Sequence, residues 1–185
     1  MENIFFDLKK LKSCGDNVII GKTVRIRNPE LVEIGNNVII DDFTYISGNV
    51  TIGDYTHIGS LCNLQASVGK ITIGSFVGFG SGTKIFAATS NYIMPSCDLP
   101  TIPMEFRIGS IIEDVVISNY TMFGANCVIL NGCKIPEGAA FGSNCRISNK
   151  KYEKWNLYLD DCKTSVYKRP NKLYLNQISK ILNKK

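Results

Sequence analysis

The chain of 185 residues has one histidine, His57, in the stretch GNVTIGDYTHIGS at 48–60. Imidazole changes protonation most readily near neutral pH, so a histidine placed at a surface is a candidate general base. A second set of chemically capable residues lies between 87 and 110, in AATSNYIMPSCDLPTIPMEFRIGS. There Asn91, Tyr92, Asp98, Glu105 and Arg107 combine donors, acceptors and a stacking surface, the mixture that a sugar or a nucleotide phosphate needs. Seven cysteines form a third set, which would suggest disulfides or a metal if they were spaced as ligands. Which set does chemistry depends on the elements that carry it.

Those elements follow a period of six. A large aliphatic residue recurs at Ile34, Ile40, Ile46, Ile52, Ile58 and Leu64. The register slips by three and resumes at Ile73, Phe79 and Ile85. After an interruption it returns as Ile111, Ile117, Phe123, Ile129, Ile135, Phe141 and Ile147. Cys14, Ile20 and Ile26 carry a weaker version upstream. A small or medium residue stands two places before most of these, as at Val38, Thr44, Val50, Thr56 and Cys62. Neither a 3.6-residue helix nor plain strand alternation holds this spacing. Short strands separated by tight turns do: three make one coil, and stacked coils bury a common aliphatic column. About six coils are expected.

The register assigns directions. Cys62, Cys127, Cys133 and Cys145 fall at the small inward position and Cys14 at the large one, so their spacing follows the coil and no metal site is expected. Cys97 and Cys162 lie outside the repeat and are expected as free thiols in a reducing compartment. His57 lies between inward Thr56 and inward Ile58, so it points outward, away from the aliphatic core.

Charge adds little. The formal net charge is +5, and only residues 150–185 are clearly basic, with ten Lys or Arg against three acids. Nothing interleaves aromatic and basic residues as a nucleic-acid surface would, so no nucleic-acid partner is expected. The first ten residues, MENIFFDLKK, lack the apolar run of a signal peptide, and no stretch approaches ~20 apolar residues. A cytoplasmic protein without a membrane segment is expected. Residues 1–12 read as a cap, with a helix expected over about 2–12. Residues 13–150 form the coil domain with its excursion at 87–110, and 151–185 an extension. In that extension Leu175, Ile178, Ile181 and Leu182 share one face of a short amphipathic helix.

The repeat resembles the hexapeptide-repeat acyltransferases over about residues 14–170, most closely the sugar O- and N-acetyltransferases of surface-polysaccharide synthesis. THIGSLCNL at 56–64, NYIMPSCDLPTIPMEFR at 91–107 and GANCVILNGCKIPEGAAFGSN at 124–144 carry the closer match. The closing segment WNLYLDDCKTSVYKR departs from the family pattern, with Asp160, Asp161 and Cys162 where a glycine-proline turn is usual. The resemblance implies an all-β, left-handed parallel β-helix with a long loop and a short C-terminal helix. It further implies a homotrimer with acetyl-coenzyme A in the groove between subunits and a sugar or nucleotide-sugar acceptor beside a histidine base. Carried onto this chain, the coenzyme positions are Gly124, Ala125, Gly142 and Ser143, with Lys150 and Lys151 for its phosphates. The acceptor positions are Asn91, Tyr92, Glu105 and Arg107, and the base is His57. Ser90 stands at a position where the family commonly carries a histidine, whereas some sugar-nucleotide acyltransferase subgroups carry acids there and a histidine further upstream, much as in THIGS. A nonenzymatic hexapeptide-repeat binding or assembly protein is the alternative. A carbonic-anhydrase-like enzyme is disfavoured, because one histidine per chain cannot readily supply three zinc ligands.

Overall fold

The computed structural model describes residues 3–93, 98–99, 101–106, 109–159, 162 and 164–183. Its centre is a left-handed parallel β-helix. On the first face the strands Ile19–Ile20, Ile39–Ile40, His57–Ile58, Gly78–Phe79, Met122–Phe123, Ala140–Phe141 and Asn156–Tyr158 stack in parallel, so there are seven coils rather than six. The seventh lies beyond residue 150, past the expected end of the coil domain, and its register was hidden because Tyr158 replaces the aliphatic residue. The antiparallel strand Ser165–Lys168 then covers the last coil.

Ile40, Ile46, Ile52, Ile58, Leu64, Ile73 and Ile85 are fully buried at the expected inward positions. Each such side chain contributes about 1.5–3 kcal/mol by leaving water. Toward the C-terminal end the first-face column turns aromatic: Phe79, Phe123, Phe141 and Tyr158 stack at centroid separations of 5.0, 5.3 and 5.3 Å. Two members of the predicted series are not buried, although Cys14 keeps the inward register beside Ile34. Cys14 is exposed, because it lies in the first coil and has no coil below to cover it. Ile111 is also exposed, because it pairs antiparallel with Thr89 and the repeat resumes only at Val115–Ile117. Cys62, Cys127, Cys133 and Cys145 are buried as expected. Cys162 is buried as well, while Cys97 lies outside the described residues.

The slip of three residues has a structural purpose. It inserts a bulge at 66–69 into the strand Asn63–Ile73, at the corner between the second and third faces. The excursion leaves the solenoid one coil later at the same corner, through an antiparallel stem of Ala88–Thr89 with Ile111–Ile112. A side chain on Gly69 would crowd Ala87 and Ile112, so the bulge and the stem are in close contact. Lys70 N–H donates to Asp114 Oδ1 at 2.9 Å and ties them together.

The termini are simpler than expected at one end. Residues 3–12 contain a single 3-10 turn, Leu8–Lys10, whose Lys9 N–H donates to Asp7 Oδ1. The C-terminal helix, Asn171–Leu182, buries only Ile178 in this chain. Arg169 secures the segment before it. Its guanidinium donates to the carbonyls of Tyr120 and Gly138 and lies over the rings of Trp155 and Tyr174.

Candidate active site

His57 and Asp41 form a pair on the first face. Ile40 and Ile58 are cross-strand partners, so Asp41 follows one level with Gly59 while His57 precedes Ile58 on the next coil. The bare backbone at Gly59 leaves the diagonal clear, and His57 Nε2 lies 2.8 Å from Asp41 Oδ2. An ionised carboxylate only accepts, so neutral His57 carries its proton on Nε2 and presents the Nδ1 lone pair. Both side chains are open, at 55% and 44% exposure. An ion pair so exposed contributes little to stability. Its consequence is orientation: Asp41 fixes the ring and its tautomer. The next coil places Gly78 beside His57, and Met122 lies beyond it.

The second feature is a cleft of about 690 Å³ under the excursion. That volume suits a small ligand. Gln65, Phe86 and Leu130 form its floor on the second face, with Asn131 and Arg146 at the C-terminal side and Ser90, Tyr92, Asp98 and Ser110 as its wall. Ser110 Oγ donates to Asp98 Oδ2 at 2.8 Å, and Ser90 Oγ to the Asp98 carbonyl at 3.2 Å. Ser90 therefore works here as an anchor that fixes the carboxylate-bearing segment.

The remaining site residues divide. Tyr92 lines the cleft, whereas Asn91 turns its side-chain oxygen to the Ile93 N–H and Glu105 sits exposed on the 3-10 turn Met104–Phe106. Arg107 lies outside the described residues. Gly124, Ala125, Gly142 and Ser143 come together on adjacent coils at the corner after the first face. A side chain on Gly124 would collide with the Ser143 backbone, so stacking alone requires that glycine, whereas one on Gly142 would meet only the end of the Leu159 side chain. Lys150 and Lys151 do not join them. They follow Asn149 at the corner carrying Gly132, one face away, and Lys150 Nζ lies 5.5 Å from the Tyr152 ring centroid. No group of three His, Cys, Asp or Glu suited to a metal occurs among the described residues.

Asp41, Gln65, Ser110 and Arg146 were not singled out from sequence. Asp41 had a usable signal: pairing Ile40 with Ile58 puts it diagonal to His57. Ser110 had none, because an irregular loop folded against a corner has no period, and Gln65 and Arg146 are outward residues of regular strands that the period does not tell apart from any other.

A left-handed β-helix of six-residue repeats that carries a long excursion is the fold of the hexapeptide-repeat transferases. Residues 32–65 match the bacterial transferase hexapeptide family (six repeats). The dTDP-4-amino-4,6-dideoxy-D-glucose acyltransferase of Escherichia coli is 32% identical over 136 residues, 71% of this chain and 69% of that protein. A substituted variant of AntD, an N-acyltransferase from Bacillus cereus solved with dTDP and coenzyme A, aligns over 100% of both chains at 30% identity and TM-score 0.87. AntD with dTDP and 3-hydroxybutyryl-CoA aligns over 98% of this chain and 99% of that one, at 30% identity and TM-score 0.85. The chain belongs to the hexapeptide-repeat acyltransferases. It is a coenzyme-A-dependent acyltransferase, related to the nucleotide-sugar N-acyltransferases and using a coenzyme A thioester as donor.

Proposed function

We propose that the enzyme transfers a short acyl group, acetyl or 3-hydroxybutyryl, from its coenzyme A thioester to the amino group of a dTDP-linked amino sugar. The observation that carries this reading is the His57–Asp41 pair, outward and open, with Nδ1 free to take a proton. The amine nitrogen attacks the thioester carbonyl, the C–N bond forms and the C–S bond breaks. The proton lost by the amine goes to His57 Nδ1, and the departing thiolate is protonated in turn. The dTDP portion is supported by the relatives solved with dTDP and by the ligand-sized cleft, where Tyr92 offers a stacking surface and Arg146 a cation.

Within one chain the pair occupies the first face and the cleft the second, with a corner between them. A homotrimer resolves this by setting the His57 face of one protomer against the cleft of its neighbour, with the coenzyme in the groove. Exposed Ile19, Ile39, Phe43 and Leu61 on the His57 side form an apolar surface suited to such packing.

Asp98 is a second acceptor for the proton, because Ser110 holds its carboxylate in the cleft wall. Thiol release with dTDP-4-amino-4,6-dideoxyglucose and acetyl-coenzyme A separates the two. His57→Ala should lower turnover by about 10²–10⁴ with coenzyme affinity retained, and Asp98→Asn by much less. Turnover of His57→Ala within threefold of the parent at saturating substrates, together with loss in Asp98→Asn, would transfer the base role to Asp98.

A further inference from the structure

Gly78 is the glycine that the fold does not explain. Gly53, Gly80 and Gly124 stand where a Cβ would strike backbone of the next coil, and Gly82, Gly132 and Gly138 have positive φ. Gly78 has neither constraint: a Cβ built on it meets nothing within 4 Å, and its φ is not in the left-handed region. It sits in a strand, where glycine costs roughly 0.5–1 kcal/mol relative to alanine. Its neighbours on the same face, across the strand on either side, are His57 and Met122. The face therefore carries a notch one residue wide, with imidazole on one side, a thioether on the other and bare backbone for a floor.

We infer that this notch receives the acyl chain of the donor and that Gly78 sets how large that chain can be. The inference rests on the reading of His57 as the base. Adjacent strands lie about 4.8 Å apart, so a carbonyl carbon under attack by the amine that His57 deprotonates has its substituent within one strand spacing of Gly78. Met122, 48% exposed, closes the far side with a flexible apolar group that adapts to chain shape. Backbone atoms alone form the floor, so added side-chain volume comes directly out of the space for acyl carbons. Because the Gly78 N–H already donates to the Thr121 carbonyl, the residue contributes room and not a hydrogen bond to the reactant.

The test is the ratio of kcat/KM for 3-hydroxybutyryl-coenzyme A to that for acetyl-coenzyme A in the parent, Gly78→Ala and Gly78→Val, with molar mass measured for each. The ratio should fall about tenfold or more in Gly78→Val and less in Gly78→Ala, since each excess methylene against a filled pocket costs about 10–200-fold. Equal loss with both donors would overturn the inference. If the molar mass falls at the same time, the notch is a seat for a second copy of the chain. The base reading fails separately: if His57→Ala keeps parental turnover while the Gly78 series still shifts the ratio, the notch stands without the base.

Discussion

Buried thiols at Cys62, Cys127 and Cys133 are pushed up to about 11, chiefly because burial penalises the thiolate. They are packing atoms at neutral pH, since the thiolate is the reactive form. Cys14 is also raised by burial but is exposed at the open end of the solenoid. Alkylation of the native protein followed by peptide mapping should therefore label Cys14 and leave those three unmodified until denaturant is added. Rapid native labelling of Cys127 would show that the C-terminal coils open readily. His57 presents the opposite design, a reactive group kept out of the column by register and aimed by a carboxylate from the coil below. Its outward direction was legible from Thr56 and Ile58 alone, whereas Asp41 required knowing which coil positions are level.

Among the elements, the corner after the third face is the most demanding. Tyr55, Phe76, Tyr120 and Trp155 all occupy the left-handed region there, with φ of 55, 58, 65 and 58°. Stacking offsets the backbone cost, as Tyr55 and Phe76 lie parallel at 4.7 Å. Gly138 holds the same corner between Tyr120 and Trp155, and the Trp155 ring leans over it to reach Tyr120 at 5.9 Å. Gly138→Ala adds a methyl group where the indole lies, at φ +68°. It should cost roughly 2–5 kcal/mol, lowering the melting temperature by at least about 4 °C. An unchanged melting temperature would mean that Trp155 moves aside freely. The aliphatic columns were legible because stacking forces the same residue class to recur every six positions. The last coil was not, because Asn156 and Tyr158 stand there at the small and the large inward positions, and Cys14 misled because the repeat does not mark where the stack ends.

At the scale of the whole molecule, one exposed apolar patch runs along the His57 side of the solenoid. Phe43 is 65% and Leu61 61% exposed at consecutive levels of the corner following His57. Both carry positive φ, at 62 and 61°, in a turn where polar residues or glycine would fit more easily. Replacing both with lysine should convert a trimer into monomers in light scattering and abolish turnover while sparing the circular dichroism of the coil. A parent protein that is monomeric and fully active would remove the shared site. The cleft and the pair could not be joined from sequence, because the period of six fixes which residues point outward but not how the two faces are brought together.

The excursion at 87–110 leaves and re-enters the solenoid without interrupting it: Lys84–Phe86 still pairs with Val128–Ile129, and Gly78–Phe79 with Met122–Phe123. The coil acts as a chassis and the loop as a cassette bolted to one corner through four stem residues. If the cassette holds the acceptor, as proposed, that site can be altered by exchange of the cassette while the load-carrying columns stay untouched.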